Sequence, residues 1–202
     1  MKRSSFEDMN CSVAQSLEIV GEWWTLLILR DCLMGVTRFD DFQQRLGIAR
    51  NVLSSRLDTL VGAGVLERTP YQDNPPRSDY RLTEKGRALL PVMTALREWG
   101  DEWITGPGHE PVVAVHEPCG HTFTTVPTCS VCHEEVRPRE FHIEPGPGMS
   151  DPSLLPERVL ARTERWHQRV AAGAPTGATA TTAAAATTGA TGSGFPTAEP
   201  GD

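Results

Sequence analysis

Two clusters in this chain have residue types and spacing that could do chemistry. The first is the run HEPCGHTFTTVPTCSVCHEEV, where His116-x2-Cys119 is followed after nine residues by Cys129-x2-Cys132. Donors two residues apart, with Gly120 after the first pair, match the knuckles of a small zinc ribbon, since a tight turn aims both donors at one metal. The spacing predicts a structural zinc on His116, Cys119, Cys129 and Cys132, with His121 and His133 as rivals for the nitrogen position. The intervening HTFTTVPT alternates like a hairpin. The alternative is a two-stranded flap with unligated thiols. A catalytic metal is not expected, because four protein ligands would close the site and no acid–base group is spaced to serve it.

The second cluster lies in FDDFQQRLGIARNVLSSRLDTLVGAGVLERT, residues Phe39 to Thr69. Two apolar-periodic segments meet at Gly47, and the second is predicted to be a helix from about Ala49 to Ala63. At 100° per residue, Leu53, Leu57 and Leu60 share one face and point to a core. Asn51, Ser55 and Asp58 then point outward, with Ser54 and Arg56 on the flanks. A small, polar outer face of this kind suits the major groove of DNA, about 12 Å wide.

The flanking elements must position that face. The spacing predicts helices over Ser12–Val20 and over EWWTLLILRDCLMG, the latter apolar on most sides (Trp23, Leu26, Leu27, Ile28, Leu29) and expected to be the buried central helix. RFDDFQQRL makes a third helix with Phe39, Phe42 and Leu46 on one face. After Gly62 and Gly64, VLERTPY and DYRLT read as strands around a Pro-rich loop, QDNPPRS, that carries the exposed cation Arg77. Thr83 is expected to cap one long helix reaching about Ile104, with Leu89, Met93, Leu96, Trp99 and Trp103 along one side. Helix, helix, helix–Gly–helix, hairpin, helix is the winged helix-turn-helix layout: mainly α with a small β-hairpin wing.

Charge is informative through its distribution. The chain of 202 residues carries a formal net charge of −7, yet the window 38–87 holds nine basic and seven acidic residues. A locally basic stripe remains compatible with DNA, because phosphate attraction is short-ranged at physiological salt. No run reaches the ~18 apolar residues of a bilayer span, and the N-terminus has no apolar signal-peptide core. Five cysteines, an odd count, argue for reduced thiols or metal ligands and a cytoplasmic protein.

The run CSVAQSLEIVGEWWTLLILRD, then GVTRFDDF, GIARNVLSSRLDTL and PPRSDYRLTEKG with the tryptophans that follow, resembles the HxlR-type winged helix regulators of bacteria over about Cys11 to Trp103. The resemblance implies a homodimeric transcription factor, often a repressor, on a palindromic operator of double-stranded DNA, with the dimer formed by the first and the long last helix. It implies groove-facing roles for Arg50, Asn51, Ser54, Ser55 and Arg56. Arg77 then becomes the wing-tip cation, and Arg38, Arg81 and Lys85 become phosphate contacts. Cys11 sits where some members carry a thiol that senses quinones, aldehydes or oxidants, which would make a small molecule or oxidant the effector. Members often have Cys-Pro there, whereas this chain has Cys-Ser. Cys32, inside an apolar helix, reads as core.

The expected organisation is a DNA-binding and dimerisation domain over 1–105, a zinc-ribbon-like module over 106–150, a short helix over 151–170 and a disordered Ala/Thr/Gly-rich tail over 171–202. The rival class is a winged helix that binds protein, for which aromatic residues would be expected where Asn51 and Ser55 stand. An enzyme is not expected: no nucleophile–base pair, phosphate loop or carboxylate dyad stands out.

Overall fold

The computed structural model describes residues 5–7, 9–149 and 151–173. They fall into two compact units, Met1–Pro127 and Thr128–Asp202.

In the first unit, α1 (Ser12–Val20) leads through Gly21 into α2 (Trp23–Leu33), followed by α3 (Phe39–Leu46) and α4 (Arg50–Gly62). Gly47 ends α3 in the left-handed region at φ +62°, a conformation open to glycine without steric penalty, and so turns the chain into α4. The hairpin β1 (Leu66–Asp73) and β2 (Pro76–Leu82) pairs antiparallel from Leu66↔Leu82 to Asp73↔Pro76, with an irregularity between Pro70 and Gln72. The core is Ile28 and Leu29 of α2, Phe42 of α3, Leu53, Leu57 and Leu60 of α4, and Val65, Leu66 and Tyr80 of the hairpin. α3 and α4 contribute the faces their period assigned, so helix-turn-helix and wing are built on one apolar centre.

The fold departs from the sequence-based expectation in three places. Trp23 lies on the exposed side of α2, which buries Thr25, Ile28, Leu29 and Asp31 instead. The hairpin absorbs the Pro-rich loop, leaving Asn74 and Pro75 as the turn. Arg77 therefore sits within β2 opposite Gln72 rather than at a loop tip. Pro70 stays in register opposite Ser78, and the irregularity leaves Tyr71 without a partner before pairing resumes at Gln72. Finally, the single long helix is broken. Thr83 caps only α5 (Glu84–Arg87), its hydroxyl accepting from the Gly86 amide, and α6 (Leu90–Gly100) starts anew before a π-turn at Asp101–Thr105. Pro91 explains the break, since its ring would meet the carbonyl four residues back.

Gly86 lies where the hairpin crosses α5, and a Cβ there would collide with the Val65 carbonyl oxygen and the Leu82 side chain. Past the π-turn, β3 (Val115–His116) pairs with β4 (His121–Thr122). The Thr125 amide donates to both carboxylate oxygens of Glu98 at 2.8 and 2.9 Å, tying this segment to α6. The boundary between the units at Pro127 thus falls inside the 106–150 stretch.

The second unit has a bridge between Thr128 and Glu135, a 3-10 turn at Pro152–Leu154 and the helix α7 (Glu157–Ala171). Trp166 of α7 packs on His142 at 4.9 Å between ring centroids, and Glu144 bonds both His142 (2.7 Å) and His167 (3.0 Å). Of the tail expected to be disordered, residues 174–202 lie outside the described residues.

Candidate nucleic-acid interface

The outward face of α4 and the wing flank one open cleft lined by Arg50, Asn51, Ser54, Arg68, Tyr71 and Arg77, among others. Arg50 is the first residue of α4, where its guanidinium stacks 4.8 Å from the Phe39 ring centroid and reaches the Gln43 side chain at 3.3 Å. Asn51, Ser54 and Ser55 are exposed. Arg38 precedes α3 and lies 5.1 Å over the Tyr71 ring of the wing. The Thr37 carbonyl meanwhile accepts from the Tyr80 amide at 2.7 Å. The entry to the helix-turn-helix is thereby laced to β2.

Acidic residues hold the cations in place. Asp40 stands 3.6 Å from Arg50 and 3.5 Å from Arg77. Asp79 stands 3.9 Å from Arg38 and 3.1 Å from Arg81, and Asp58 stands 3.3 Å from Arg68. All are exposed or half-buried, so each pair contributes little to stability. Their effect is positional: Asp40 holds Arg50 and Arg77 at the cleft, and Asp79 and Asp58 restrain Arg38, Arg81 and Arg68 nearby on the wing side.

Arg50, Asn51, Ser54 and Arg77 are thus brought together at the cleft, while Arg38 lies over the Tyr71 ring that lines it. Two other candidates are engaged elsewhere. Arg56 is half-buried, 3.7 Å from Glu22 beside the start of α2, and its Nε is buried with no partner. Lys85 donates to the Ala63 carbonyl at 2.8 Å, where a cation meets the carbonyl end of α4. Arg68 joins the cleft without having been singled out from sequence, although the period-2 alternation of β1 could have assigned its face. The counter-charges Asp40 and Asp79 were likewise not foreseen.

A buried carboxylate ties two helices of the first unit together through two half-exposed arginines. Asp31 is fully buried and accepts from Arg30 at 2.8 and 3.0 Å and from Arg45 at 3.1 Å, joining α2 to α3.

The exposed apolar residues of α6 and the π-turn form a separate face: Val92, Leu96, Trp99 and Trp103 are all about half exposed or more. Val13 and Leu17 of α1 are exposed too.

The thiols are placed as follows. Cys11 caps α1 in extended conformation, exposed and without a side-chain capping bond. Cys32 is packed against the core, and burial pushes its thiol up to about 12. In the first unit, His116 Nδ1 and Cys119 Sγ are 3.2 Å apart across the turn between β3 and β4, where Gly120 takes φ +71°. In the second unit, the backbone amides of Cys132 and Val131 bond Cys129 and, with the Cys132 side chain, hold its thiol below the ordinary value. His133 follows at φ +61°. The expected hairpin between the two pairs is replaced by a tight turn around each pair. Among the described residues no group of three or more His, Cys, Asp or Glu side chains is arranged to hold a metal.

Comparison with known proteins agrees with this geometry. The sequence profile of the HxlR-like helix-turn-helix family matches residues 19–107. The chain is 46% identical over 137 residues to the uncharacterised HTH-type transcriptional regulator Rv3095 of Mycobacterium tuberculosis, covering 68% of this chain and 87% of that one. It is 34% identical over 101 residues to the uncharacterised HTH-type regulator YdeP of Bacillus subtilis, covering 50% and 79%. Among solved structures, PA1607, described as a candidate transcription factor, superposes with a TM-score of 0.63 at 33% identity, covering 70% of this chain and 99% of that one.

Proposed function

The chain belongs to the HxlR-like helix-turn-helix family of DNA-binding transcriptional regulators, and from that premise we propose that it acts as a homodimeric repressor on a palindromic operator near the promoter it controls. The observation that carries the reading is the cleft where Arg50, Asn51 and Ser54 of α4 face the wing cation Arg77. Arg and Asn can each make bidentate contacts to base edges, Ser and the wing cations can bind phosphate, and no bulky apolar residue of α4 blocks the groove-facing side. The apolar face of α6 with Val13 and Leu17 of α1 supports pairing through a two-fold axis, which would place two α4 helices on successive half-sites.

The test is equilibrium binding to the intergenic DNA upstream of the gene and to a random duplex, across a salt series. Preference for the upstream DNA, with steep weakening as salt rises, is the expected result. Equal affinity for the two duplexes at every salt concentration would overturn the reading.

Two features stand as proposals on residue chemistry. Cys11, exposed at the start of α1, is a site where an electrophile or oxidant could act on the dimer face. Three thiols and an imidazole, in knuckles two residues apart, are a donor set that selects zinc, so His116, Cys119, Cys129 and Cys132 are proposed as structural ligands. Elemental analysis of protein purified without chelator should find about one zinc per chain. Metal-free protein with an unchanged fold would refute it.

A further inference from the structure

Helix α7 carries a feature that the DNA-binding reading leaves unexplained. Its sequence, ERVLARTERWHQRVA, places arginines at 158, 162, 165 and 169, steps of four, three and four residues. At 100° per residue these fall within an arc of about 60°. All four are exposed, and among the described residues none makes an ion pair; Arg162 alone makes a hydrogen bond, to the Arg139 carbonyl at 2.9 Å. Glu157 and Glu164 lie well away, on another side of the helix. The cations of the wing and of α4, by contrast, are each held by a carboxylate.

Four arginines on one helical stripe, with no counter-charge, repel one another. A polyanion laid along the stripe would relieve that repulsion and meet four cations at once. Rises of about 6, 4.5 and 6 Å between successive arginines are comparable with the charge spacing of nucleic acid, one phosphate per about 3.4 Å of axis on each strand. The cation type fits too, since a guanidinium can grip phosphate with two parallel bonds. A membrane surface fits less well. The apolar side of α7 (Val159, Leu160, Thr163 and Trp166) is half-buried in its own unit, Trp166 against His142, and is not free to enter lipid.

We propose that the Arg158, Arg162, Arg165, Arg169 stripe of α7 is a second DNA-contacting surface, one that binds the sugar-phosphate backbone without reading sequence. The proposal rests on the chain being a DNA-binding regulator but not on its operator specificity. The stripe therefore adds affinity and salt dependence to operator and random duplex alike, while base discrimination stays with α4.

The test compares the full chain with the triple variant Arg158→Gln, Arg165→Gln, Arg169→Gln, which leaves the Arg162–Arg139 bond in place. Circular dichroism checks that α7 remains helical. Affinity for the upstream DNA and for a random duplex is measured between about 50 and 200 mM salt. Every phosphate left without its arginine lowers the slope of log K against log salt by about 0.9, so the variant should be shallower by about 2 to 3 on both duplexes, with the ratio between them unchanged. A variant with lysine at the same three positions should keep most of the slope.

An unchanged slope in a folded glutamine variant would overturn the proposal. So would a drop on the upstream DNA alone. If the variant keeps its slope but no longer binds polyglutamate as the wild type does, the stripe serves an acidic protein and the proposal fails. Should the wild type not distinguish the two duplexes, the operator reading fails, and the slope on random duplex still decides the role of the stripe. A wild type that binds no DNA overturns both.

Discussion

Asp40 of α3 lies 3.5 Å from Arg77 of β2, a carboxylate of the helix-turn-helix clasping the cation of the wing. The same carboxylate lies 3.6 Å from Arg50 at the start of α4. α4 and the wing therefore share one counter-ion, which would release both arginines if phosphates took its place. Being exposed, the pairs are weak, in the range of about 0.2–1 kcal/mol each by the general behaviour of surface ion pairs.

Replacing that carboxylate should free both cations and remove a charge that repels phosphate. Asp40→Asn is expected to raise affinity for a random duplex about twofold to fivefold, the equivalent of one weak surface pair. The gain on the operator should be smaller, because Arg50 loses its preset orientation. Fluorescence anisotropy on the two duplexes measures both numbers, and weaker binding to both would contradict the exchange.

Stability should depend on Asp31 more than on any ion pair of the cleft. It is the fully buried carboxylate beneath Arg30 and Arg45. Asp31→Asn keeps the volume but weakens the charge-assisted bonds, with an expected loss of about 1–2 kcal/mol, after allowance for the half-exposed arginines. Urea unfolding followed by tryptophan fluorescence reads this as a lower midpoint at unchanged slope. A midpoint within error of wild type would show that the cluster contributes nothing.

Much of the winged helix was legible because a single physical signal governed each element. The 3.6-residue period of Leu53, Leu57 and Leu60 marks the buried face of α4, and Gly47 marks the turn before it. The misreadings share a cause: local pattern does not contain the third dimension. Trp23 looked like core on an apolar helix, but only one stripe of α2 is covered. Arg77 looked like a loop cation because its neighbours are prolines, whereas the register of the hairpin runs through them. Pro91 was a legible signal, and the long apolar stripe from Leu89 to Trp103 outweighed it. The pairing of Asp40 with Arg77 and of Asp79 with Arg38 joins residues from distant parts of the chain, and no local spacing encodes it.

Thiol reactivity should divide sharply. Burial pushes Cys32 up to about 12, so its thiol stays protonated and unreactive across the usable pH range, becoming thiolate only as pH approaches that value. Cys11 is exposed. Brief alkylation of folded, chelator-treated protein at pH about 8, near the ordinary thiol value, followed by mass spectrometry should label Cys11 and spare Cys32. Labelling of Cys32 at a rate matching Cys11 would contradict the packing of α2.

The apolar face of α6 predicts an oligomer. Trp99 is 55% exposed and Trp103 68%, an unusual exposure for two such residues on neighbouring turns. Light scattering should report a dimer for the wild type at micromolar concentration, and Trp99→Glu should shift it to monomer while circular dichroism is unchanged. A wild-type monomer that binds its operator tightly would rule out this face as the dimer contact.

If the outer face of α4 reads bases, Asn51 is the residue whose loss shows it most directly. It is exposed, lines the cleft and makes no ion pair, so its loss should leave fold and phosphate contacts intact. The measurement is the ratio of operator to random-duplex affinity, at one salt concentration, for the wild type and for Asn51→Ala. A base-reading asparagine is worth about 1–3 kcal/mol, so the ratio should fall about fivefold to 150-fold, with random-duplex affinity unchanged. A ratio equal to wild type would contradict base reading at this position, and equal losses on both duplexes would make Asn51 a backbone contact.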